Sequence, residues 1–171
     1  MSRQELAPRV KDLIVRRLKL EIDPTVQAYN ALSLTTLLRF CDDRGLRCTP
    51  NNVLLHPEYM SLSALPDNCR RLARERLEDY GRTCPAEKKD AVAGVVRHLQ
   101  GPPPPHQPQL LSTLLAFTSE LDASRSERLA DAEPELSRLI AEAAAKGAAS
   151  EGPGVWLIRR AAGAWRRRSA P

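Results

Sequence analysis

Aromatic side chains are scarce in this sequence: two Trp, three Tyr and two Phe make up 4% of its 171 residues. A core built with so few rings must rest on Leu, Val, Ile and Ala, and the hydrophobic share of 42% supplies them. The chain has no run of about 18 apolar residues, which excludes a membrane-spanning helix as a reading of any segment. The opening Met1-Ser-Arg-Gln-Glu lacks the apolar stretch of a secretory signal, so a cytoplasmic location is expected. Paired cysteines are also missing. Cys41, Cys48, Cys69 and Cys84 are separated by 6, 20 and 14 residues, and no C-x-x-C occurs. That spacing excludes a zinc ribbon or a redox dithiol motif and leaves buried thiols as the expectation. Cys41 in particular falls among Leu37, Leu38 and Phe40 in a helical pattern.

Acidic residues are missing from the end of the chain. The last is Glu151, and beyond it lie Arg159, Arg160, Arg166, Arg167 and Arg168. These five account for the net charge of +5, leaving 21 basic and 21 acidic residues in positions 1–151. The sequence pI near 9.3 therefore belongs to a tail, and a basic body suited to nucleic acid is not indicated. The tail stretch "VWLIRRAAGAWRRR" sets Trp156, Ile158 and Trp165 near one face of a short helix, with arginines on the rest. Weak binding to anionic surfaces through 152–171 is one expectation, and a flexible tail over 147–171 is the other.

What is present reads mostly as helix. Leu6, Val10, Leu13, Ile14 and Leu18 step by three and four and predict an amphipathic helix over 3–20. Further helices are predicted from Leu34 to Arg44 with Ser33 as N-cap and Gly45 at the C-terminal cap. Others are expected from Pro66 to about Tyr80, from Pro85 to about Gln100, and over 110–121 and 134–146. Ser124 and Glu127 have the spacing of a capping box. "GPPPPHQPQ" over 101–109 predicts a stiff linker or a sharp corner.

Strand signals are confined to three stretches, near 24–30, 52–56 and 60–65. "TVQAYN" alternates and carries β-formers. "NVLLH" lies between Pro50 and Pro57 as a short apolar run, suited to a strand buried on both faces. A strand, a helix and a strand in succession predict a parallel pair joined by a crossover. Two or three such strands leave edges open, so they read as the last units of a larger sheet or barrel.

Three stretches carry a family resemblance: "PTVQAYNALSLTTLLRFCDDRGL", "NVLLHPEYMSLSALP" and "LAFTSELDASRSERLADAEPEL". Together they resemble the C-terminal part of the radical S-adenosylmethionine proteins called twitch domain-containing. The likeness runs over about residues 5–142. It implies an α/β, helix-dominated fold: the closing βα units of an incomplete (β/α) barrel over 1–100, the linker at 101–109, and a helical C-terminal region over 110–146. For the family it implies a [4Fe–4S] cluster and S-adenosylmethionine as cofactors, the cluster held by a C-x-x-x-C-x-x-C motif. This sequence contains no such motif. The resemblance therefore implies no cofactor in this chain as it stands, catalytic incompleteness alone, and a missing N-terminal half or a partner chain. A non-enzymatic binding protein that uses the basic tail is the other class open.

Asn30 and His56 close the two strands expected to be parallel, on the rim where a (β/α) barrel keeps its chemistry, with Glu58 nearby. Two readings stand open for them: a shared site, or a turn cap at Asn30 and a loop bond at His56. Arg125 has two as well: holding a substrate carboxylate at the barrel mouth, or pairing with Asp122 or Glu127. His98 and His106 read as structural or solvent-facing. Cys69 and Cys84 flank one helical segment, and folding that gathered them would make an auxiliary cluster site.

Overall fold

Thr25 and Val26 (β2) pair in parallel with Asn52 and Val53 (β4), and the crossover between them is the helix α1, Leu34–Asp43. The computed structural model describes residues 21–150. The helix expected over 3–20 and the basic tail from 151 onward lie outside the described residues. A second short ladder precedes the first: Glu21–Ile22 (β1) pairs in parallel with Arg47–Cys48 (β3). The two ladders form one ribbon broken at Pro24 and Pro50, neither of which can donate a ladder hydrogen bond. Two residues separate Ile22 from Thr25, whereas three separate Cys48 from Asn52. The extra residue shifts the register by one, as a bulge does.

The chain is dominated by helix, and no closed barrel forms among the described residues. The α1 helix forms because Leu34, Leu38 and Cys41 recur at helical spacing on a face that is fully buried. Its end is fixed locally. Gly45 takes φ 63°, its N–H donates to Asp42 O at 3.0 Å, and the Leu46 N–H donates to Cys41 O at 2.9 Å. That is a Schellman closure, which favours glycine because a Cβ disfavours the left-handed region. Ser33 stands at the N-cap without a side-chain bond to the helix.

Helix α2 spans Asp67–Thr83 and α3 spans Lys89–Gln100, preceded by a 3-10 turn at Ala86–Lys88. The α2 helix continues through Gly81 instead of ending at Tyr80. A Cβ at Gly81 would stand 3.5 Å from Val92 Cγ1, so the glycine lies where α2 packs on α3. Helix α4 runs Gln107–Arg125, α5 Leu129–Ala132 and α6 Pro134–Ser150. One core cluster runs from Val26 through Leu38, Leu77 and Val95 to Leu114 and Ile140. Burial of each such aliphatic side chain contributes roughly 1.5–3 kcal/mol relative to exposure.

Three expectations are corrected at the strands. The stretch near 60–65 is two 3-10 turns, Glu58–Met60 and Leu62–Ala64, instead of a strand. Ser61 explains the change. Its hydroxyl donates to Glu58 O at 2.7 Å and lies 2.6 Å from the Ser63 hydroxyl, a local alternative to ladder pairing. The strand near 24–30 shortens to Thr25–Val26, because Asn30 folds back on its own backbone and the chain turns at Ala28–Asn30. The strand near 52–56 ends at Val53, with Leu54 N–H donating one further bond to Val26 O at 2.8 Å. It is not buried on both faces: Asn52 and His56 are exposed, and Leu55 keeps 56% of its surface.

In the second half the segment after Gly101 is a short corner, with α4 already begun at Gln107 and Gln107 Nε2 donating to Leu65 O at 2.7 Å. The capping box is absent. Ser124 lies in the last turn of α4 and donates to Leu121 O at 2.9 Å, Ser126 ends the helix at φ 54°, and Asp122 caps α5. Both Asp122 carboxylate oxygens accept from Leu129 N–H at 3.2 Å.

Candidate functional site

The chain leaves β4 through Leu54, Leu55 and His56 and turns at Pro57 into Glu58–Met60. This corner and the end of α3 enclose a cavity of about 210 Å³. His56, Glu58 and His98 line it together with Ser61 and Ser63. Glu58 Oε2 stands 3.0 Å from His106 Nε2, which ties the corner to the residue preceding α4. The chain contains three histidines, and all three meet this corner. The imidazoles and Glu58 are exposed to solvent, so the His106–Glu58 pair contributes little to stability.

The four residues expected at a site are thus dispersed. His56 and Glu58 share the corner cavity. Asn30 does not reach it: its Oδ1 accepts from Gln27 N–H at 2.9 Å and its Nδ2 donates to Thr25 O at 2.9 Å. Both functions of its amide are used in the local turn. Arg125 lines a separate groove of about 610 Å³ with Tyr29, Asp122, Arg128 and Asp131. It makes no ion pair with Asp122 or Glu127, since Asp122 is engaged by the Leu129 N–H. The Tyr29 hydroxyl at that groove lies 2.8 Å from Thr118 Oγ1, and burial pushes its pKa up. His98 and His106 were missed as members of a cluster. Glu58 and His106 are 48 positions apart, and no periodicity links such a pair.

The thiols are placed by packing. Cys41, Cys48 and Cys69 are wholly buried and Cys84 nearly so. Cys69 begins α2 and Cys84 caps its end, so the helix holds them about 22 Å apart at 1.5 Å per residue. Burial pushes the Cys48 and Cys69 thiols up to about 12. The α2 helix does not bring Cys69 and Cys84 together. Among the described residues, no group of three His, Cys, Asp or Glu side chains is placed to hold a metal ion.

Around Cys41 lies a buried polar knot. Lys88 Nζ pairs with Asp42 Oδ1, and the Tyr80 hydroxyl donates to Asp42 Oδ2 at 2.8 Å. Lys88 keeps 4% of its surface. Burial, then the bond to Asp42, raises the Tyr80 pKa. A second buried cation, Arg70, donates to Leu99 O at 3.0 Å and to Gly101 O, closing the carbonyl end of α3. The first knot joins α1 to α2 and to the 3-10 turn before α3, the second joins α2 to the end of α3, and both serve the scaffold.

No family model, no curated protein and no solved structure matches the chain. Among the described residues, no helix is long and apolar enough to cross a membrane.

Proposed function

We propose that this chain supplies the closing βα units of a larger parallel α/β assembly of the radical S-adenosylmethionine type, and that it is catalytically incomplete by itself. One observation carries the reading: β2 and β4 run parallel and are joined through α1, yet the ribbon has only two strands at any point among the described residues. Parallel strands are usually found within larger sheets covered on both faces. The similarity of "TVQAYN", "HPEYMSLSALP" and "LDASRSERLADAEPEL" to the C-terminal part of the twitch domain-containing proteins supports the same reading.

Under this reading the corner of His56, Glu58, His98 and His106 is the portion of the barrel rim that this chain contributes. Cluster and S-adenosylmethionine would be held by residues outside it. The DNA upstream of Met1 tests the proposal. A C-x-x-x-C-x-x-C coding segment there, in frame or displaced by a frameshift, supports it. An unrelated upstream gene with a strong ribosome-binding site favours a standalone protein.

A further inference from the structure

The outer edge of β2 is not bare. In an extended strand the carbonyls of successive residues point to opposite sides. Ile22 O accepts from Thr49 N–H at 3.2 Å and Val26 O from Leu54 N–H at 2.8 Å, so these two carbonyls face the neighbouring strand. Thr25, one residue before Val26, directs its carbonyl to the other side, where a further strand would dock. The Asn30 side-chain amide occupies that carbonyl at 2.9 Å. Asn30 is itself held by the Gln27 N–H on Oδ1, so the donor is aimed by a second bond. Asn52 Nδ2 donates to Thr25 Oγ1 at 3.0 Å and fixes the side chain of the same residue.

We propose that Asn30 is an edge guard: its amide closes the outer edge of β2 to pairing, and a strand adds there only by displacing it. Unpaired edges invite association with other chains, and proteins commonly block them with a local device. The guard here is five residues from the carbonyl it covers and belongs to the turn that ends the strand. The inference rests on the larger-sheet reading only in naming what would displace the amide. The guard itself is a property of the isolated chain, so it can be tested without a second polypeptide, and its failure leaves that reading standing.

The test uses the full 171-residue chain and two variants, Asn30→Ala and Asn30→Ser, in sedimentation velocity over a concentration series. Neither replacement reaches Thr25 O with a donor, while serine keeps an acceptor for the Gln27 N–H. Both variants are expected to self-associate more tightly than the parent chain, by up to about tenfold, the factor that one freed backbone acceptor at an edge supports. Hydrogen exchange of the associated species should show added protection at residues 25–26. Variants that stay as monomeric as the parent chain overturn the proposal. So do variants that lose the fold by circular dichroism, which would make Asn30 a fold-holding residue, and associated species protected elsewhere than at β2.

Discussion

Tyr80 donates its hydroxyl proton to Asp42 across 2.8 Å, tying the middle of the helical half of the core to the last turn of the crossover helix α1. The other oxygen of the same carboxylate faces Lys88, so one side chain gathers α1, α2 and the turn before α3. Asp42→Ala takes the shared carboxylate from Tyr80 and Lys88 at once and strands a buried ammonium. Breaking a buried pair from one side costs about 3–5 kcal/mol. Asp42→Ala should therefore lower the unfolding free energy by about 3 kcal/mol in urea titration. The double variant Asp42→Ala with Lys88→Met should recover part of the loss, since the uncompensated charge is gone. A double variant as unstable as the single one would show that Lys88 is not the residue paying for the change.

Stability should fall at alkaline pH. The Cys48 and Cys69 thiols are pushed up to about 12 by burial, above an ordinary thiol value of about 9. A raised folded value means that the folded chain keeps protons which the unfolded chain releases. The contribution is fully present below about pH 9 and is lost as pH rises toward 12, at up to about 1.4 kcal/mol per thiol per pH unit. Urea midpoints at pH 8, 9 and 10 should be level over the first interval and drop over the second. A midpoint that held from pH 9 to pH 10 would contradict the buried placement of these thiols.

Anaerobic reconstitution with iron and sulfide should not yield a stoichiometric [4Fe–4S] cluster in this chain. Cys69 and Cys84 stand at opposite ends of α2, and a cluster needs several thiols brought together in one pocket. A brown protein with about four irons per chain, lost on Cys69→Ala or Cys84→Ala, would show that the fold gathers these thiols after all.

Affinity for anionic surfaces, if present, should reside in the arginine-rich end. Residues 1–151 balance 21 basic against 21 acidic side chains, and the five arginines beyond them hold the excess. Roughly 1 kcal/mol per charge near an anionic membrane is available to such a tail, and salt weakens it. Deleting 152–171 should abolish binding to phosphatidylserine vesicles and leave the circular dichroism of the body unchanged. Binding that survived the deletion would locate a basic face in the body.

Local determinants of the fold were readable from sequence, and distant ones were not. Leu34, Leu38 and Cys41 declare α1 by their spacing, and Gly45 marks its end because a left-handed closure favours glycine. The parallel pairing of β2 with β4 follows from strand, helix and strand in that order. The stretch after Pro57 misled because Leu62 and Ala64 are buried two positions apart, as alternate residues of a strand would be, while Ser61 and Ser63 bond locally and curl the chain. Ser124 and Glu127 had the spacing of a cap, but the αL residue at Ser126 reverses the chain and brings Asp122 to Leu129 instead. The corner of three histidines was legible only in part. His56 and Glu58 are near neighbours in sequence, whereas His98 and His106 arrive from the other side of two helices.

The central claim is that these strands complete a parallel assembly whose cluster chemistry lies outside this chain. The most direct measurement is anaerobic isolation of the native protein from its source cells through a tag placed after Pro171, followed by peptide mapping and iron analysis. The account predicts that the isolated species contains a polypeptide with a C-x-x-x-C-x-x-C motif, continuous with this sequence or bound to it, and carries iron. A lone, iron-free chain of 19.0 kDa would contradict it.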